Sequence, residues 1–202
     1  MKYLTFLLFS LAAAAADAPR VLYSKSFPGS TPAFVAVTVE KDGAVSYREA
    51  PDEDPLKLRI TESQAGEIFT LAEKLSFFKR PLESPLKVAN MGMKTFRYEN
   101  GAEKSEVKFN YSQDEDARAL VDWFDRIVES AGQLIALQRA AKYDKLGVVK
   151  ALLELESLRD RKRLLGEREF LPMLDRIAKN ETFLHMARVR AAGLAEAIRA
   201  DK

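Results

Sequence analysis

The chain has 202 residues, of which 47% are hydrophobic and 31% are charged, a balance typical of a folded soluble protein and unlike that of disordered or membrane-embedded chains. The formal net charge of +2 gives no general reason to expect nucleic acid as a partner. Because the sequence contains no cysteine, it excludes disulfides, thiolate chemistry and a lipid-modified N-terminal cysteine.

Residues 1–16 have the pattern of a secretory signal peptide. Lys2 forms a short basic n-region, residues 3–11 form an apolar segment too short to span a bilayer, and residues 14–16 are small alanines of the kind that signal peptidase accepts. We expect cleavage before Asp17, with an uncleaved anchor as the alternative. The mature protein is then expected to be exported, periplasmic or extracellular, with no stable membrane insertion after cleavage.

Four strands and a helix are predicted next. Residues 20–26, 33–40, 44–49 and 56–60 are β-branched or alternate in polarity, which is typical of strands. Thr61 and Gln64 have the spacing of a capping box and predict a helix start. Four apolar residues then recur at helical spacing and should face the sheet, and two aromatic residues should close the helix within the core: Ala65, Ile68, Ala72, Leu75, Phe77 and Phe78.

This first part of the chain resembles small exported bacterial domains in which a strand pair around an Asp-Gly turn precedes a helix that ends in paired phenylalanines. The resemblance covers about residues 20–78 and depends on these residues: Tyr23, Pro32, residues 34–39, Asp42, Gly43, Val45, Tyr47, Phe77 and Phe78. Those domains have no assigned activity, so the resemblance implies a fold and no function.

A hairpin and a second helix start are predicted between residues 93 and 127. The Asn100-Gly101 pair lies between two alternating runs and favours a type I′ turn. Ser112 and Glu115 have capping-box spacing, and three consecutive carboxylates, residues 114–116, would lie at the positive end of the helix dipole.

Everything after this hairpin is predicted to be helical. Apolar residues keep a three-four spacing from Ala117 onward and predict a helix that continues to Tyr143, followed by one over residues 148–158. Pro172 suits the first turn of a third helix, Asn180 can end that helix or cap the next, and a last helix is expected near residues 181–199. The final helix pair is similar to one HEAT-type repeat, although such arrays usually need at least three.

These elements predict an α+β protein with an antiparallel sheet of about five to six strands, helices on one face and a C-terminal helical extension. We divide the chain into the signal peptide (residues 1–16), the sheet domain (residues 17–130) and the helical extension (residues 131–202). The sheet domain has 16 basic and 20 acidic residues, and the helical extension has 15 basic and 10 acidic ones. Opposite charge could dock the extension on the sheet domain, which we favour, or attract another protein to the basic helical part.

No residue is assigned a catalytic, cofactor-binding or metal-binding role from the sequence. His185 is the only histidine, and with Glu181 one helical turn away it would supply two metal ligands without a visible third. The acidic run at residues 52–54 lacks the spacing of a known calcium loop and is better interpreted as a solvated turn.

Other candidate residues also have structural explanations. Asp114 and Asp116 fit first-turn charges and Asp122 the outer face of a helix. The basic cluster at residues 159–163 alternates with acidic residues, which favours local ion pairs. Trp123 and Tyr143 could stack on a ligand, but aromatic residues on a helix stripe are usually core.

Two functions are consistent with these patterns. The first is a non-catalytic exported protein that acts as a binding or scaffolding module. The alternative is a hydrolase whose carboxylates meet only in three dimensions. An exposed apolar patch on the helical extension would favour the first, and a pocket that holds two carboxyl groups with raised pKa values would favour the second.

Overall fold

The structure is a computed structural model that describes residues 18–201, so the predicted signal peptide lies outside the described residues. It contains six strands, β1 (Arg20–Ser26), β2 (Phe34–Glu40), β3 (Ala44–Arg48), β4 (Leu56–Arg59), β5 (Met93–Asn100) and β6 (Glu103–Phe109). Its α-helices are α1 (Glu62–Lys74), α2 (Glu115–Tyr143), α3 (Val148–Asp160), α4 (Leu171–Lys179) and α5 (His185–Ala200). These bounds confirm the predicted strands and helices to within a few residues.

The six strands form one antiparallel sheet in the order β4-β3-β2-β1-β5-β6. Strand β1 lies in the centre, with Tyr23 opposite Val37 of β2 and opposite Phe96 of β5. Alternate residues of β2 and β3 are buried and the residues between them are partly or fully exposed, as expected for a sheet with helices on one face. The predicted α+β class with an antiparallel sheet and a helical extension is confirmed.

The core of the sheet domain is centred on a cluster of aromatic rings. Phe96 lies 5.1 Å from Phe78 and 5.1 Å from Phe109, measured between ring centroids. Tyr23 stacks on Phe124 of α2 at 4.8 Å, which joins the central strand to the helix above it. Such ring pairs add about 0.5–1.5 kcal/mol each to the burial of their apolar area. The first half of α2 is therefore fixed on the sheet.

The helical extension has its own core, and α2 belongs to both. Ala117 to Ala131 of α2 contribute buried residues to the sheet core, whereas Leu134, Leu137 and Ala141 pack with α3, α4 and α5. The loop after α3 returns to α2, where the backbone N–H of Leu165 donates to Ser130 Oγ at 2.8 Å. Leu165 itself is buried in the sheet core.

Charged residues support the same contact. Arg163 donates to Asp122 at 3.0 Å and to Glu129 at 2.6 Å, and both carboxylates belong to α2. These two carboxylates raise the pKa of the Arg163 guanidinium above its usual range. The extension therefore packs on the sheet domain through hydrophobic burial and one charged junction.

The hairpin turn differs from its prediction by one residue. Asn100 pairs with Glu103, so the two turn residues are Gly101 and Ala102. Gly101 has φ of +56°, and neither Asn100 nor Ala102 is among the described non-glycine residues with positive φ. A type I′ turn requires positive φ at both central residues, and here only Gly101 has it. The type I′ prediction for Asn100-Gly101 is therefore wrong.

The start of α2 also differs from its prediction. Asp114, not Ser112, caps the helix by accepting a hydrogen bond from the backbone N–H of Ala117 at 3.1 Å. Ser112 instead accepts from the N–H of Asp114 at 3.3 Å. The capping box at Thr61 and Gln64 is confirmed. A carboxylate closer to the helix start satisfies the same free N–H groups and also meets the dipole.

Two aromatic predictions have mixed outcomes. Phe78 is buried in the sheet core as expected, but residues 76–78 form a short 3-10 turn after α1 in which all three residues have positive φ. Tyr143 was expected in the core and is 73% exposed at the last residue of α2. Trp123 is partly buried against the sheet core, with the Arg126 guanidinium over its ring.

Candidate functional site

A groove of about 470 Å³ lies between α3 and α5 on the helical extension, and we call it the α3–α5 groove. Its lining includes two small residues, Gly193 and Ala197, and its rim residues, as we call them, are Met186 and Val189. These two rim residues are 60% and 58% exposed. A concave surface with exposed apolar side chains is typical of a site that binds another molecule.

Helix α5 forms this groove because it carries two stripes of residues. The stripe that faces the core contains Ala187, Ala191, Leu194, Ala195 and Ile198. A second stripe, in which Met186, Val189 and Gly193 follow one another at three- and four-residue intervals, faces outward. Helix α3 contributes charged residues to the lining, namely Glu156, Arg159 and Asp160.

Ion pairs hold the rim of the groove. Glu156 of α3 accepts a hydrogen bond from Arg190 of α5, which ties the two helices together. Arg159 pairs with Glu167 at 3.1 Å and with Asp201 near the end of α5. Because these partners favour the charged form of Arg159 more than burial disfavours it, its pKa is raised. The rim is thus nearly neutral, and binding there would depend mainly on apolar contact.

The predicted basic cluster is paired differently from the sequence expectation. Arg159 pairs with Glu167 and Asp201, and Arg163 pairs with two carboxylates of α2. None of these partners is one helical turn away in the sequence. Sequence spacing could not show this, because α3 ends at Asp160 and the chain reverses direction there. The cluster therefore fixes the loop after α3 against α2.

The other predicted candidates do not meet in one place. His185 is exposed at the groove, and Glu181 lies in the turn before α5, so the expected one-turn spacing within a single helix is wrong. Within residues 18–201, no group of three or more potential metal-ligating side chains comes together. The acidic run at residues 52–54 is an exposed turn, and Asp114 and Asp116 lie in or beside the first turn of α2.

A second, smaller cavity lies beneath α2, and the sequence did not indicate it. It has a volume of about 170 Å³ and brings together Lys25 of β1 and Asp125 of α2, with an otherwise mainly apolar lining. We call it the Lys25–Asp125 cavity. On the neighbouring strand, Lys94 lies directly opposite Lys25 and is only 8% exposed. One signal was available, since Lys25 and Lys94 occupy inward positions in the alternation of their strands.

Lys94 has a structural role. Its ammonium donates to three backbone carbonyls, those of Met91 at 3.4 Å, Gly92 at 3.2 Å and Asn110 at 2.7 Å. Burial lowers the pKa of Lys94, and the nearby Lys25 lowers it further. Three carbonyl acceptors match the three N–H donors of an ammonium group, so Lys94 has no donor left for a ligand.

Asp125 has the opposite environment. Burial raises the pKa of its carboxyl group, and Asp122 and Glu129 add to that effect, while Lys25 and Lys94 oppose it. The other described carboxyl groups with shifted pKa values, Asp42, Glu99, Asp114 and Asp175, all shift downward. The cavity therefore does not supply the two raised carboxyl groups that would favour a carboxylate-based hydrolase.

We expect Asp125→Asn to stabilise the protein at neutral pH. A raised folded-state pKa means that Asp125 favours folding below its unfolded pKa of about 3.9 and loses that contribution as the pH rises through the folded value. Urea unfolding from pH 3 to 8 should show that the free energy of unfolding of the variant rises relative to that of the wild type as the pH increases. Asp160→Asn removes an exposed carboxylate and is the matched control. If the difference in unfolding free energy between Asp125→Asn and the wild type does not change with pH, the expectation is wrong.

Comparison of the sequence with protein-family models and with curated proteins finds no match. Among the helices of residues 18–201, none combines the length and the apolarity needed to cross a bilayer. The two cavities therefore have to be interpreted from their own residues.

Proposed function

We propose that the protein is an exported, non-catalytic binding module whose helical extension binds another protein through the α3–α5 groove. The observation that carries the proposal is the exposed apolar rim of this groove, Met186 and Val189, on a helix whose other stripe is fully used by the core. Export is inferred from the signal-peptide pattern of residues 1–16 alone.

The shape of the groove favours an amphipathic helix as the bound element. A groove between two helices that is lined by both small and larger apolar residues accepts side chains that repeat at three- and four-residue intervals. The excess of basic over acidic residues in the extension would speed the approach of an acidic partner without contributing much at the neutral rim.

Site-specific photo-crosslinking in cells that express the protein tests whether the α3–α5 groove binds a partner. A photoreactive amino acid at Val189 should give a discrete adduct, whose partner is identified by mass spectrometry. The same label at Leu146, which is 73% exposed between α2 and α3, is the matched control because it lies outside the groove. Adducts at both positions alike, or at neither, would argue against the groove.

Affinity measurements with the identified partner then test the contact directly. We expect Val189→Asp to weaken binding by about fivefold to 150-fold, because truncating or charging a central apolar contact typically costs about 1–3 kcal/mol. Leu146→Asp should leave the affinity unchanged. Val189 is exposed in the free protein, so the thermal unfolding midpoints of both variants should stay close to that of the wild type.

A further inference from the structure

The Lys25–Asp125 cavity is lined by one basic and one acidic side chain that are not in direct contact. Both side chains line the cavity, yet in the described part of the chain no ion pair within 4.0 Å joins Asp125 to either Lys25 or Lys94. Both residues are only partly buried, and no described protein group forms a hydrogen bond with either side chain, so both charged groups can be reached by a small ligand.

The surrounding polar groups do not satisfy either charged group. Lys94 donates to three carbonyls. The Ser30 hydroxyl lies 2.7 Å from the carbonyl oxygens of both Phe27 and Pro32, so its single O–H is used by these carbonyls. The hydroxyl of Tyr23 is buried without a hydrogen-bond partner, and the charge of Asp125 acts on it. One cation and one anion therefore remain available to a ligand.

The rest of the lining limits the size and the character of that ligand. Phe27, Pro32, Val35 and Val128 provide an apolar wall. A volume of about 170 Å³ corresponds to roughly five or six water molecules at about 30 Å³ each in the liquid. The site can therefore hold a small molecule with two opposite charges and a short apolar group, and it has no room for a polymer chain.

We propose that the Lys25–Asp125 cavity binds a free α-amino acid with a short aliphatic side chain. The ligand's carboxylate would accept hydrogen bonds from the Lys25 ammonium, and its own ammonium would donate to the Asp125 carboxylate. Its side chain would pack on Val35 and Val128. A zwitterion satisfies both protein charges at once, whereas a simple anion would meet Asp125 and a simple cation would meet Lys25. This site is separate from the α3–α5 groove.

The first test uses the wild-type protein and four small probes. L-alanine and L-valine should shift the backbone amide resonances of β1 and of the middle of α2 in NMR titrations, and propionate and ethylamine each carry only one of the two charges. We expect the amino acids to bind about tenfold to a hundredfold more tightly than either single-charge probe, since a hydrogen bond to a charged group contributes about 1.5–3 kcal/mol. Equal binding of propionate or ethylamine, or no saturable shift with any probe, would overturn the proposal.

Two variants assign the charged contacts. Asp125→Asn should reduce the affinity for L-alanine to that for propionate, and Lys25→Met should reduce it to that for ethylamine. Asp160→Asn and Lys41→Met make the same charge changes at exposed positions away from the cavity and should bind L-alanine like the wild type. If both cavity variants retain wild-type affinity, the ligand does not use these two side chains and the proposal is wrong. If a cavity variant fails to fold, the four-probe comparison on the wild type still decides.

Discussion

Phe96→Ala should lower the free energy of unfolding by about 3–5 kcal/mol, the range typical of deleting a fully buried aromatic side chain. Phe96 is inaccessible to solvent and its ring lies within about 6 Å of four others, those of Tyr23, Phe78, Phe109 and Phe124. Alanine would leave a cavity where β1, β5, β6 and α2 meet. Urea unfolding followed by circular dichroism measures the loss.

The matched control for this variant is Phe34→Ala. Phe34 lies on β2 and is only partly buried, on the sheet face that no described helix covers. Its loss should cost clearly less than that of Phe96. Similar costs for the two variants would mean that the ring cluster is not the centre of the core.

Gly43→Ala should be the second most damaging of the proposed substitutions, with a loss of about 2–4 kcal/mol. Gly43 has φ of +84°, and a Cβ there would lie 2.3 Å from the carbonyl oxygen of Ile60. The Gly43 carbonyl also accepts a hydrogen bond from the N–H of Ile60 at 2.9 Å. Backbone strain of about 1–2 kcal/mol is therefore added to a clash that pushes the segment entering α1 away from the turn.

Gly29→Ala separates these two contributions. Gly29 has a similar φ of +92°, but a Cβ there would meet nothing within 4 Å. Its substitution should cost only the backbone strain, so the difference in unfolding free energy between the two variants measures the close approach to Ile60. Equal losses would show that the clash at Gly43 is relieved by a small shift.

Local chemistry explains why so much of the fold could be predicted. The four strands β1 to β4, the Asp42-Gly43 turn and the Thr61 capping box were each predicted from neighbouring residues, and the structure confirms all of them. The two errors at the second hairpin and at the start of α2 are one- and two-residue shifts. Both arose where an alternative residue, Gly101 or Asp114, meets the same backbone requirement slightly better.

The candidate sites were less predictable, because each is assembled from distant parts of the chain. In the sequence, Asp125 has the pattern of an ordinary helix residue. It shares a cavity with Lys25 only because α2 packs over β1, and the two residues are about a hundred positions apart. The α3–α5 groove depends on how α5 packs against α3, which the helical period of α5 alone cannot define. The outward stripe of Met186 and Val189 was visible in the sequence and was the one signal that pointed to it.

The unbroken course of α2 through both cores has a mechanical consequence. The helix is 29 residues long, about 44 Å at about 1.5 Å per residue, and it continues through Gly132 with buried residues on both sides of that point. Swivelling one core against the other would require breaking backbone hydrogen bonds in the middle of this rod. A force applied to α3, which packs on α2, would therefore be passed to the strands through a continuous helix and not through a flexible linker.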